Sequence, residues 1–104
     1  MPLPPPRDHS VTIAAAAEST KRYRDQAEPT ASRATLFHRA AVDAVLAQTG
    51  CVAVRLYYGR GVAGEAELVM VGVDGNGNDL TGGAIMDIIF PCPPYCGIAN
   101  PLNP

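Results

Sequence analysis

The chain has 104 residues, 47 % of them hydrophobic, and a net charge of −2. That length suits one domain with its own core, and the apolar content excludes a chain disordered throughout. Only 17 % of residues are charged, against roughly 25 % in ordinary soluble domains. A deficit of this kind points either to surface covered by further copies of the chain, or to a small monomer whose charge is diluted by Ala and Gly.

Prolines bracket the sequence. Four lie before Arg7, five lie from Pro91 onward, and Pro29 stands alone between them. Residues 1–9 read as a Pro-rich N-terminal arm, 10–90 as one domain and 91–104 as a Cys/Pro-rich tail. Glycine is absent before Gly50, so the first half reads as helix and the second as strands and turns. The first helix is expected over Ile13–Ala27, capped by Ser10 or Thr12 and stopped by Pro29. Its stripe of Ile13, Ala16, Thr20, Tyr23 and Ala27 is thin, because Ala buries little area. A second helix is expected from Ser32 or His38 to Thr49, with Val42, Val45, Leu46 and Thr49 on its apolar face. Gly50 is placed to take the left-handed conformation behind it. Leu36 and Phe37 read either as its start or as a short extended anchor.

Cys51–Tyr58 alternates as a strand: Val52, Val54, Leu56 and Tyr58 share one face, and Cys51, Ala53, Arg55 and Tyr57 the other. Gly59–Gly64 matches a G-x-G-x-x-G phosphate loop letter for letter. That motif must lead into a helix, however, and Glu65–Asp74 reads as a second strand, so a hairpin loop is the better account. Asp74-Gly75-Asn76-Gly77-Asn78-Asp79 is a turn. It also matches the opening of a calcium loop, but Asp79 and Ile85 replace the Gly and Glu that such a loop needs. Weak calcium binding by Asp74, Asn76, Asn78 and Asp79 is therefore the minor reading. Ala84–Phe90 completes the set as a third strand. The expected fold class is α+β, with two N-terminal helices packed on a three-stranded antiparallel β-meander and extended Pro-rich termini. Strands apolar on both faces need a further cover, supplied by homo-oligomerisation through the sheet or by the Pro-rich tail. Since Pro lacks an N–H, the tail is expected to shield a sheet edge without extending it.

All eight basic residues lie at or before Arg60. Residues 1–60 carry +3 and residues 61–104 carry −5, a polarity that allows head-to-tail association unless both halves share one surface. The cluster Lys21-Arg22-Tyr23-Arg24 is too short, and too near Asp25 and Glu28, for a nucleic-acid surface. No apolar run reaches the roughly 20 residues that span a bilayer, and no apolar leader is present at the N-terminus. The expected compartment is cytoplasmic, with export by a non-classical route left open. No partner nucleic acid, membrane, small-molecule substrate or cofactor is indicated.

Pro91-Cys92-Pro93-Pro94-Tyr95-Cys96-Gly97 is the segment with most chemical character. The Cys92/Cys96 pair admits four readings: an intrachain disulfide, a reduced structural pair, a redox couple, or part of a metal site. Redox centres of the thioredoxin kind use two intervening residues and a following helix, and neither is found here. A zinc tetrahedron would need Cys51, His38 or His9 beside Cys92 and Cys96. His38 otherwise reads as a packed or capping histidine. Three cysteines cannot all pair within one chain. No catalytic constellation is legible. Gly50-Cys51-Val52, Tyr58-Gly59, Val71-Gly72-Val73-Asp74, Gly77-Asn78-Asp79 and the Cys-Pro-Pro-Tyr-Cys segment together resemble a family of small uncharacterised bacterial proteins, over about residues 10–103. The resemblance implies a single compact bacterial domain and transfers no functional residue. The expected function is that of a non-enzymatic, self-associating structural or protein-interaction module. The alternative is a thiol-disulfide or zinc-binding small protein using Cys92 and Cys96, and a small enzyme with its site between subunits ranks third.

Overall fold

The computed structural model describes residues 2–104. Helix α1 spans Ile13–Gln26 and opens on Thr12, whose Oγ1 accepts from the Ala15 amide at 3.1 Å. Strand β1 (Ala34–Leu36) follows, then α2 (Arg39–Leu46), β2 (Ala53–Arg60), β3 (Ala66–Val73), β4 (Ile85–Met86) and β5 (Phe90–Cys92).

The strands form two antiparallel sheets. One contains β2, β3 and β4 in that order, and the other pairs β1 with β5. Within the larger sheet Arg55 lies opposite Val71, Leu56 opposite Met70, and Tyr58 opposite Leu68. Gly59 and Arg60, expected in the hairpin loop, continue β2 opposite Glu67 and Ala66, and residues 61–65 close the β2–β3 hairpin, with the Gly61 amide bonded to the Glu65 carbonyl at 2.8 Å. The turn after β3 is held by Asp74, whose Oδ1 accepts from the amides of Asn76 and Asn78 at 2.9 and 3.0 Å. Gly77 takes φ 83° there, which a residue with a Cβ would resist.

This architecture corrects the expected one in three respects. First, α1 is not packed on the sheet and buries none of its residues. Its contact stripe is Ala and Thr, and its two large apolar side chains, Ile13 and Tyr23, stay 58 % and 48 % exposed. A stripe so poor in apolar area has little to gain from docking on a strand face. Second, the run Ala84–Phe90 is not one strand. Only Ile85 and Met86 pair with β3, and Phe90 crosses to the second sheet opposite Leu36. Third, the tail takes part in a sheet as a strand, where it was expected to shield an edge without extending it: Thr35 pairs with Pro91 and Ala34 with Cys92. Proline is tolerated because this two-stranded ribbon is all edge, so its missing N–H faces no further strand.

Helix α2 is shorter than expected, and Gly50 lies beyond it in a tight turn closed by the Cys51 amide on the Gln48 carbonyl at 3.0 Å. Its end approaches the sheet at Gly72. A Cβ on Gly72 would stand 2.9 Å from both Cys51 Sγ and Gln48 Nε2, so the close approach requires glycine there. Gln48 clamps the junction: its Nε2 donates to the Val45 carbonyl at 2.8 Å and its Oε1 accepts from the Ala84 amide at 3.1 Å. The buried apolar core consists of Val45, Met70, Val71, Val73 and Cys92. No helix among the described residues is long and apolar enough to cross a membrane.

Candidate functional site

Strand alternation sorts β2 into two faces with different fates. Ala53, Arg55 and Tyr57 share a face with Val73, Val71 and Val69, their partners on β3. Asp79 bridges to the far side of Val73, which puts its side chain on that face too. Arg55 and Tyr57 reach across β3 to Asp79. Arg55 Nη1 and the Tyr57 hydroxyl each donate to the Asp79 carboxylate, and the guanidinium also donates to the Gly77 carbonyl at 3.4 Å. The Val71 and Val73 side chains beneath are only 3 % and 1 % exposed.

The electrostatics of this cluster follow from the shared carboxylate. The Tyr57 hydroxyl bond, helped by Arg55, holds Asp79 below its ordinary carboxylate range against the opposing effect of burial. The same bond raises Tyr57 above its ordinary value, because ionising the phenol would face the carboxylate charge. The Asp79 bond and charge likewise raise Arg55. The ion pair joins a base from the first half of the chain to an acid from the second, so the two halves partly neutralise each other on one surface. Asp79 is thereby taken up in a structural tie, and Asp74 by its own turn amides, which leaves neither carboxylate arranged around a cation.

The opposite face of β2 carries no such roof. Val52, Val54, Leu56 and Tyr58 are 60 %, 42 %, 45 % and 94 % exposed. β2 is also an edge of its sheet, so no strand pairs with its other side among the described residues.

The cysteine segment occupies the other sheet. Cys92 and Cys96 stand at disulfide distance, with Cα atoms 4.9 Å apart. Cys92 is buried within β5 and Cys96 is exposed. The Cys92–Pro93 and Pro93–Pro94 bonds are cis. The bend returns the Tyr95 amide to the Pro91 carbonyl at 2.9 Å. The Tyr95 ring then meets Phe90 edge-on at 5.0 Å, and Phe90 meets His38 at 5.7 Å. His38 sits exposed at the N-cap position of α2 without a side-chain capping bond, and its ring contact is with Phe90. Further on, the tail ties down α1 and the segment leading to β1: Arg24 Nη1 donates to the Leu102 carbonyl at 2.9 Å, and Arg33 Nη1 to Asn103 Oδ1 at 3.0 Å.

The sequence candidates for a metal centre are therefore dispersed. Cys51 Sγ packs at the α2–β2 junction, 3.3 Å from the Ala53 carbonyl. Cys92 and Cys96 engage each other, and His38 faces Phe90. Among the described residues no three His, Cys, Asp or Glu side chains converge on a metal position.

The chain matches no family model, no curated protein and no solved structure. Two features escaped sequence reasoning. The Arg55–Tyr57–Asp79 cluster left a trace in the sequence, two polar-tipped side chains at i and i+2 of an otherwise apolar strand. Of the β1–β5 ribbon only Leu36 and Phe90 showed an extended tendency, and their pairing left no trace.

Proposed function

We propose that this chain is a non-enzymatic, self-associating structural or protein-interaction module. The observation that carries the reading is the surface area. The chain exposes 7913 Å², whereas a compact monomer of 10.9 kDa exposes about 5,600 Å². The radius of gyration, 15.4 Å, likewise exceeds the roughly 13 Å of a compact domain of this length. The excess, about 2,300 Å², is larger than the roughly 800 Å² that each partner buries in a standard interface. The extended termini account for part of it and the uncovered apolar face of β2 for another part.

Light scattering coupled to size-exclusion chromatography tests the reading. Assembly that strengthens with concentration is expected. A monomer across the whole accessible range would overturn it.

A thiol-disulfide role is the second reading, favoured by the exposure of Cys96 beside a buried Cys92. Its test is the mass of the protein before and after a dithiol reductant, together with the measured rate of exchange. Reduction no faster than that of ordinary structural disulfides removes this reading.

A further inference from the structure

The hydrogen-bond pattern of β3 fixes which backbone groups β2 leaves unpaired. The Gly72 carbonyl accepts from the Leu80 amide at 2.9 Å and the Asp74 amide donates to the Asn78 carbonyl at 3.0 Å. Even-numbered residues of β3 therefore point their polar backbone toward the β4 side, and odd-numbered ones toward β2. The Gly61 amide bonded to the Glu65 carbonyl, beyond the strand ends, keeps the same parity. Given the pairing of Arg55 with Val71 and Tyr57 with Val69, the odd residues of β2 spend their N–H and C=O groups on β3. The groups of Val54, Leu56 and Tyr58 face outward, where no strand pairs with them among the described residues.

The three residues with outward-facing backbone are also exposed apolar ones, on an edge strand of eight residues. Soluble proteins ordinarily blunt such an edge with charge, proline or a short strand. The N-terminal arm approaches without closing it: residues Leu3 to Arg7 border a cleft of about 850 Å³ against Val52–Arg55 and Val73. Pro4, Pro5 and Pro6 have no N–H to donate, and no hydrogen bond joins the arm to β2 among the described residues.

Resting on the self-association proposed above, the geometry points to a second copy of this chain as the occupant of the β2 edge, paired antiparallel about a twofold axis at Leu56. A twofold axis normal to the sheet keeps each residue on its own face, so opposed residues share parity. Centring at Leu56 places Leu56 against the partner's Leu56, and Val54 against the partner's Tyr58. Each of these pairs exchanges both backbone hydrogen bonds, because all three residues point their polar groups outward. The exposed stripe then becomes continuous across the axis, and the two three-stranded sheets join edge to edge. Centring at Arg55 would set two guanidinium groups face to face, and centring at Tyr57 would set Val54 against the partner's Arg60. Both are poorer cross-strand pairs.

Cysteine cross-linking tests the register. In a Cys51→Ser background, which removes the free thiol, single cysteines are placed at Val54, Leu56, Tyr57 and Tyr58, and each variant is oxidised mildly at the assembling concentration. Hydrogen-bonded antiparallel pairs have Cα atoms about 5.5 Å apart, within disulfide reach. Leu56→Cys alone is expected to cross-link with itself, and Val54→Cys only when mixed with Tyr58→Cys. Self-cross-linking at Tyr57→Cys but not at Leu56→Cys would overturn the register. Dimers seen by light scattering with no cross-link at any β2 position would overturn the β2 interface while leaving self-association standing. A monomer by light scattering would overturn both.

Discussion

Tyr57 and Asp79 share a hydrogen bond across the width of β3, which lies between them. With Arg55 on the same carboxylate, this bond ties the first strand of the larger sheet to the end of the turn after β3. The Asp79 side chain is 19 % exposed and that of Arg55 41 %, so solvent screens the pair without dissolving it.

Stability should therefore fall at both pH extremes for identifiable reasons. Asp79 has a depressed folded pKa, so its contribution is complete above the ordinary carboxylate range and lost as pH falls through the folded value. Tyr57 has a raised folded pKa, so its contribution is complete below the ordinary tyrosine value and lost as pH rises through the folded one. Asp79→Asn should lower the urea midpoint at pH 7, with a smaller difference from the wild type near pH 2. An equal deficit at both pH values would show that the carboxylate charge is not what matters.

Cys92 and Cys96 stand at disulfide distance, and a disulfide between them would close a very short loop. By the chain-entropy relation it would stabilise the folded state by about 2 kcal/mol. Reduction should cost about that much and loosen the bend first, because Tyr95, which meets Phe90, lies inside the loop that the link would close. Urea unfolding with and without dithiothreitol measures the cost, and Tyr95 ring resonances report the loosening. Identical curves would mean the link carries no fold stability.

Core and helix should respond differently to truncation. Val45 is fully buried, so Val45→Ala should cost about 2 kcal/mol through lost burial and the cavity left behind. Ile13 is 58 % exposed, and Ile13→Ala should stay within about 0.5 kcal/mol. Comparable losses at the two positions would mean that α1 is docked after all.

How much of this was legible in the letters depends on range. The Thr12 cap, the alternation of β2 and the Asn-Gly turn are local signals and are found, while β2 is shifted two residues along the chain and takes Gly59 and Arg60 from the expected hairpin loop. The β1–β5 ribbon joins Ala34–Leu36 to Phe90–Cys92, short segments far apart in sequence, one of them containing proline. No periodicity marks such a pairing. The i, i+3, i+4 pattern of α1 shows which face is least polar and not whether that face has enough area to bury, and α1 buries none of its residues. Of the site residues, the Cys92/Cys96 pair was visible by spacing. Arg55 and Tyr57 were visible as neighbours on one face, but their partner Asp79 lies 24 and 22 residues away, beyond any local rule.

The N-terminal arm should act as a weak competitor for the β2 edge, since Pro4–Pro6 border Val52–Val54 without bonding to them. Deleting residues 2–9 should tighten self-association measured by sedimentation equilibrium. Weaker association after the deletion would mean that the arm contributes to the interface.

The central claim is that β2 is an interior strand in the assembled protein, and amide hydrogen exchange followed by NMR at high and low concentration tests it most directly. The amides of Arg55 and Tyr57 face β3 and should be protected at both concentrations. Those of Val54, Leu56 and Tyr58 face outward and should exchange quickly in dilute solution but become protected as concentration rises. Fast exchange of these three amides at every concentration, with Arg55 and Tyr57 still protected, would contradict the account.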